Sequence, residues 1–301
     1  MRKKTFLFII ISGVLFAGGF LKFNIQKRVE LKYLKPYSSH ITFVASDEKG
    51  NIFVSQRGRD SFVEILKGGG IEEKSLGEYS NLLSLDTDNE GNVVIMASKK
   101  NWPFLIWLDP ETGKVLRAMD LFKKFISIRD VKVLHPKNLI MIIGVPKDES
   151  LRKFSHHILD FQGNFVTSFF ELKNKHVNLD SIMEANLDNF GGCPPRFDYS
   201  MERIYLCCPV SSTIKIFDYY GNKIGEVNWP ERGLFFVKKG KIYVEKRSSK
   251  SAVIILPGKG TEEMEIWGSF PGIPKGSDVN GNLFFLGGER GQTLILASVE
   301  E

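Results

Sequence analysis

The chain has 301 residues, of which 43% are hydrophobic and 12% aromatic, with a formal net charge of +6. That is enough apolar material for one large core, and 28 Gly and 12 Pro exclude a collagen-like or low-complexity chain. A modest basic excess attracts anions, but it does not by itself select nucleic acid, acidic lipid or a small ligand.

The first residues read as a targeting segment. Arg2, Lys3 and Lys4 precede an apolar run from Thr5 to Leu21, and Ala17-Gly18-Gly19 offers the small residues that a signal peptidase needs. The run is long for a signal-peptide core and slightly short for a relaxed membrane span. Two alternatives stay open for residues 1–21: a cleaved signal peptide or a retained signal-anchor. Both predict export of the remainder to a periplasmic or extracellular location, with contact to the inner membrane only through residues 5–21. No Cys lies near the end of the run, so a lipoprotein anchor is not supported. Residues 22–27 read as a short tether.

Next comes Arg28-Val-Glu-Leu-Lys-Tyr-Leu34, which alternates polar and apolar residues as a half-buried strand does. A repeat then organises the chain. A short apolar strand, a tight polar turn and a second apolar strand recur at Phe43–Val54, Leu83–Ile95, Val131–Ile140, Arg196–Tyr205, Phe235–Tyr243 and Gly276–Phe285. Most copies are followed by a second hairpin, as at Ile106–Leu116, Ile158–Val166 and Ile214–Ile224. The turns are rich in Gly, Asn and Asp, and Gly and Asn accept positive φ at low cost. Four-stranded units repeating about every 40 residues are propeller blades. One longer step contains an insertion at 173–192, whose Asn178–Asn186 stretch could form a short capped helix. The last unit supplies only three strands, and Arg28–Leu34 is available as its missing outer strand. The expected fold is therefore all-β: residues 28–301 form a six-bladed β-propeller with four-stranded antiparallel blades, the last blade closed by the N-terminal strand.

The Asp-x-x-Gly-Asn turns at Asp47–Asn51 and Asp88–Asn92, with Asp-x-x-Gly turns after the third strand at Asp160–Gly163 and Asp218–Gly221, resemble those of exported bacterial six-bladed propellers of the NHL-like and TolB-like group. The resemblance covers about Arg28 to Glu301 and implies the fold. Function is left open, since such propellers serve as binding platforms, scaffolds and several kinds of enzyme.

No Gly-x-Ser-x-Gly elbow, phosphate-binding loop or dinucleotide fingerprint occurs, so no catalytic residue and no cofactor is assigned. His156 and His157 are adjacent in an expected strand and point to opposite faces, one packed and one towards solvent. His135 reads as a turn residue. Cys193, Cys207 and Cys208 read most simply as buried small hydrophobes; a disulfide plus one free thiol is the alternative. The loops joining the second and third strands, on the face conventionally called the top, carry more basic than acidic residues. Arg57, Trp102, Lys246, Arg247 and Arg290 ring that face as candidate ligand-binding residues. The expected partner is a polar or anionic small molecule, a glycan or a protein, and not nucleic acid. Two readings follow: an exported, non-catalytic binding module, or a hydrolase or lactonase with a channel metal, for which Asp130 and Asp198 are candidate ligands.

Overall fold

The computed structural model describes residues 21–36, 41–171, 195–208, 211–246, 248–249, 251–258, 262–278 and 280–299. Residues 1–20 of the expected targeting segment, the insertion at 173–192, Cys193 and Arg247 lie outside those residues.

Six four-stranded antiparallel sheets form the blades of a propeller. β1 (Phe23–Glu30) opens the chain. Blade I holds β2 (Thr42–Ser46), β3 (Ile52–Gln56), β4 (Ser61–Ile65) and β5 (Ile71–Ser75). Blade II holds β6 (Ser80–Thr87), β7 (Val93–Lys99), β8 (Trp102–Leu108) and β9 (Val115–Asp120). Blade III holds β10 (Phe125–Leu134), β11 (Leu139–Pro146), β12 (Phe154–Asp160) and β13 (Phe165–Glu171). Blade IV holds β14 (Arg196–Asp198), β15 (Arg203–Cys208), β16 (Thr213–Asp218) and β17 (Lys223–Asn228). Blade V holds β18 (Phe235–Lys238), β19 (Lys241–Glu245), β20 (Ser251–Leu256) and β21 (Glu262–Trp267). Blade VI holds β22 (Ile273–Ser277), β23 (Leu283–Gly287) and β24 (Thr293–Val299), and β1 pairs with β24 to complete it.

The first strands of the blades, β2, β6, β10, β14, β18 and β22, contact one another across blades and so surround the axis. Each blade is covered on both faces by its neighbours. Second and third strands are therefore apolar on both sides: Val93 to Ser98 in β7 are all buried, whereas the outermost β1 alternates half-buried and exposed. The core is divided accordingly. One apolar cluster fills each junction, as where Phe53 and Phe62 of blade I meet Leu85 and Ile95 of blade II. Another lies where Phe236 and Tyr243 of blade V meet Phe285 and Ile295 of blade VI.

The Asp-x-x-Gly-Asn turns have one construction. In Asp88–Asn92 the Asn92 backbone N–H donates to Asp88 Oδ1 at 2.9 Å and the Asn92 amide to Asp88 Oδ2 at 2.9 Å, while Gly91 takes φ +84°. The same clasp joins Asp47 to Asn51, Asp160 to Asn164, Asp218 to Asn222 and Asp278 to Asn282. Glycine is required at the fourth position because its backbone is left-handed. Asp88 is buried, so Asp88→Ala removes both bonds and strands the Asn92 donors. A loss of about 2 kcal/mol in urea unfolding is expected, and a change within error would show the clasp to be passive.

Three expectations are corrected. The closing strand is Phe23–Glu30 rather than Arg28–Leu34, so residues 23–27, assigned above to a tether, are part of the ladder. The alternation continues past Glu30, but there the chain leaves β24. Leu31 makes one more bond, N–H to Gln292 O at 2.7 Å, before Leu31 and Leu34 fold into the junction between blades VI and I. His156 and His157 do point to opposite faces, yet both are buried, because both faces of blade III are covered. Finally, Cys207 is disulfide-bonded and Cys208 is free; Cys207 is also a buried member of the blade IV–V cluster.

Candidate ligand site in the central channel

Charged side chains on the first strands meet around the axis. Lys132 of blade III lies 4.0 Å from Asp86 Oδ2 of blade II, donates to Leu85 O at 3.2 Å, and reaches the Phe43 ring of blade I, 5.9 Å from its centroid. Arg196 of blade IV is buried and donates from Nε to Phe235 O of blade V at 3.0 Å and from Nη2 to Pro274 O of blade VI at 2.8 Å. That guanidinium clamps three blades and also places a positive charge at the axis. Its burial pushes it down to about 10, so it stays charged at neutral pH.

Two residues of the innermost strands are the extra residues of β-bulges. On β22, Pro274 pairs with Phe285 and Gly276 with Phe284, leaving Lys275 as the extra residue. On β10, Ile128 pairs with Gly144 and Asp130 with Ile143, leaving Arg129 extra. A bulge re-aims the side chain it carries. Gly144 permits the second one: a Cβ there would sit 2.5 Å from Ser127 O. Arg57 of blade I extends past blade II to donate from Nη2 to Arg129 O at 3.1 Å, and its Nε is buried without a hydrogen-bond partner among the described residues.

The carboxylates here are occupied by other donors. Asp86 accepts from Thr87 N at 3.0 Å and from Val133 N at 2.9 Å. Asp130 Oδ1 accepts from Ser84 Oγ at 2.7 Å and from Val131 N at 2.9 Å. They accept mainly from backbone and hydroxyl donors, and Asp130 lies within electrostatic reach of Lys275, beside Lys132 and Arg196. Burial, then the charges of Arg196 and Lys132, push the Lys275 ammonium down to about 7, while Asp130 acts in the other direction. Lys275 keeps its contact with solvent along the channel, being enclosed on its other sides.

Lys132, Arg196, Lys275, Asp86, His135 and Ser46 line a cavity of about 40 Å³. His135 is a turn residue, as expected, but buried: its Nδ1 lies 2.5 Å from Asn89 Oδ1 and its ring packs on Tyr199 at 5.3 Å. The Ser46 hydroxyl is buried and lacks a hydrogen-bond partner among the described residues. An unsatisfied hydroxyl in a polar cavity of this size is a place for water or for an oxygen-bearing ligand.

Among the described loop residues singled out from the sequence, Arg57 is placed at the channel. Trp102 packs on Phe122 at 4.0 Å on blade II and is 48% exposed. Lys246 belongs to the hairpin of β19 and β20, and Arg290 is exposed on the loop before β24. Arg129, Lys132, Arg196 and Lys275 were missed because they lie inside strands, where a charge reads as the solvent-facing half of an alternation. The available signal was the presence of charges on first strands, which have no solvent-facing half except the channel.

A divalent cation does not suit this donor set. Asp198 accepts from Ser200 Oγ at 2.6 Å, Met201 N at 3.2 Å and Gly240 N at 2.6 Å, so it serves the turn at the foot of blade IV and does not converge with Asp130. Among the described residues no three His, Cys, Asp or Glu side chains come together to hold a metal ion. Lys132 and Lys275 would repel one.

The fold and channel together define a six-bladed propeller with a cation-lined axis. No protein-family model and no curated protein sequence matches the chain. Among solved structures the fold is similar to virginiamycin B lyase from Staphylococcus aureus, with a TM-score of 0.52 and 11% identity over 85% of this chain and 80% of that one. It is also similar to a gluconolactonase from Xanthomonas campestris, with a TM-score of 0.53 and 15% identity over 91% and 89%. A third is the PQQ-bound aldose sugar dehydrogenase from Streptomyces coelicolor, with a TM-score of 0.53 and 11% identity over 93% and 98%. At these identities the likeness is one of fold.

Proposed function

We propose that this propeller is a binding module that takes a small anion, or the anionic end of a larger ligand, into its central channel. The observation that carries this reading is the convergence of Lys132, Arg196 and Lys275 on one cavity whose Ser46 hydroxyl has no hydrogen-bond partner among the described residues. A unit charge 4 Å from a cation gains about 4 kcal/mol at an effective dielectric near 20, so a few such contacts support binding after desolvation. The channel takes the place of the basic loops as the proposed site, because loop charges stand in water and are screened.

The test is calorimetric titration with oxalate, sulfate and phosphate at low ionic strength. Lys132→Gln is expected to weaken binding of at least one of them by about tenfold, the equivalent of 1.4 kcal/mol. A Lys246→Gln, Arg247→Gln double variant should bind as the parent does. The opposite pattern would move the site to the loops, and no binding by the parent protein would reject the channel.

We further propose, on residues 2–21, that the propeller works outside the cytoplasm. Fractionation of cells producing the full chain should find it in the periplasm, the medium or the membrane. Recovery in the cytoplasm would reject export and leave the channel reading untouched.

A further inference from the structure

We propose that Lys275 is a nucleophilic amine that condenses with the carbonyl of a small 2-oxo acid whose carboxylate is held by the charges of Lys132 and Arg196. This rests on the channel reading and adds a covalent step to it. Three observations support it. Lys275 is the extra residue of the bulge between Pro274 and Gly276, and it lies in the cavity wall. It shares one cavity with Lys132 and Arg196, so an anion drawn in by their field arrives beside the Lys275 amine. The cavity, about 40 Å³, is of a size for a few non-hydrogen atoms, which suits a two- or three-carbon acid whose carbonyl adjoins its carboxylate.

The chemistry fits the surroundings. Enclosure and two neighbouring cations disfavour the ammonium form, so a large share of Lys275 carries its lone pair at neutral pH. Nitrogen attacks the carbonyl carbon and forms a C–N bond as the carbonyl π pair moves to oxygen. The resulting carbinolamine loses that oxygen as one water, taking one proton from nitrogen and one from solvent, and leaves a protonated imine. No oxidant or metal enters. The protonated imine restores positive charge beside the bound carboxylate, so the adduct is held by the same field that recruited the acid.

The test uses the full chain with glyoxylate and cyanoborohydride near neutral pH, followed by peptide mapping. Reduction traps the imine as a carboxymethylated lysine. Lys275 is expected to label about tenfold faster than Lys49 and Lys100, which stand exposed on the surface away from the cluster. Oxalate, which has no electrophilic carbonyl of this kind, should protect Lys275 and leave Lys49 and Lys100 unaffected. Lys275→Met removes the amine and adds no charge to the cluster, so total incorporation should drop to the surface background while the melting temperature is retained. Labelling of Lys275 no faster than Lys49 and Lys100 would overturn the proposal. If oxalate still binds calorimetrically in that case, the channel reading stands without its covalent step; if it does not, both fall.

Discussion

A chain beginning at Leu31 is expected to aggregate, or to melt roughly 10–20 °C below one beginning at Leu21. The ten residues 21–30 that are lost include β1, whose register on β24 runs from Phe23 opposite Val299 to Glu30 opposite Thr293. Losing it removes a ladder of backbone bonds worth on the order of 1 kcal/mol each and uncovers an edge. It also removes Phe23, which meets Phe285 at 5.3 Å, Phe236 at 6.0 Å and Phe270 at 6.2 Å, edge-on. Ile25 packs against the same cluster, and Val29 against the next. The total is on the order of 5–10 kcal/mol, comparable to the whole stability of an ordinary domain. Thermal denaturation with light scattering measures it. Equal melting temperatures would show that the ring closes without β1.

Mild acid, from about pH 6.5 down to pH 5, should destabilise the protein through two buried histidines. Burial, with the charges of His157 and Arg129, pushes His156 down to about 3, and burial pushes His157 down to about 4 against bonds that favour its charged form. His156 lies between the rings of Phe169 and Phe170 beside Ser155 Oγ, and His157 contacts Ser168 Oγ at 2.8 Å and Gly144 O at 3.2 Å. Above about pH 6.5 both are neutral in folded and unfolded chains, and they contribute no pH dependence. As pH falls from there towards 4 and then 3, the unfolded chain takes up two protons that the folded chain refuses, so stability falls. By pH 5 the loss is roughly 2 kcal/mol for each histidine. Urea unfolding at pH 7.5 and pH 5 measures it, and His156→Gln should remove about half of the difference. A stability that does not change over that range would mean that the histidines are charged, or solvated, in the folded protein.

Much of the fold is written in local chemistry. The Gly-Asn and Asp-rich turns and the apolar runs between them are short-range signals, and their recurrence counts the blades. The ends of β1 are not local. Val29, Leu31 and Tyr33 continue one alternation, and what stops the strand at Glu30 is the end of β24 at Thr293, at the far end of the sequence. The histidines mislead for a related reason, since alternation separates inside from outside only in a sheet with a wet face, and β12 has none. The channel is the least legible part. Lys275 reaches it from a bulge that depends on a pairing partner in β23. Arg57 reaches it by crossing a neighbouring blade. Asp130 is channel-side, as the sequence suggested, and there it accepts from Ser84 and its own strand.

The closing strand also sets a timetable. Glu30 accepts from the Thr293 hydroxyl across a separation of 263 residues. At roughly 5–20 residues per second of synthesis, β1 waits on the order of tens of seconds for its partner. Throughout that interval its ladder is open, and Phe23, Ile25 and Val29 have no blade to cover them. A nascent chain carrying five complete blades therefore presents two unmatched edges, and it becomes a closed ring only when β24 arrives. Its period of greatest exposure to aggregation, and to any chaperone that recognises open strands, falls at the end of synthesis, when most of the molecule is already in place.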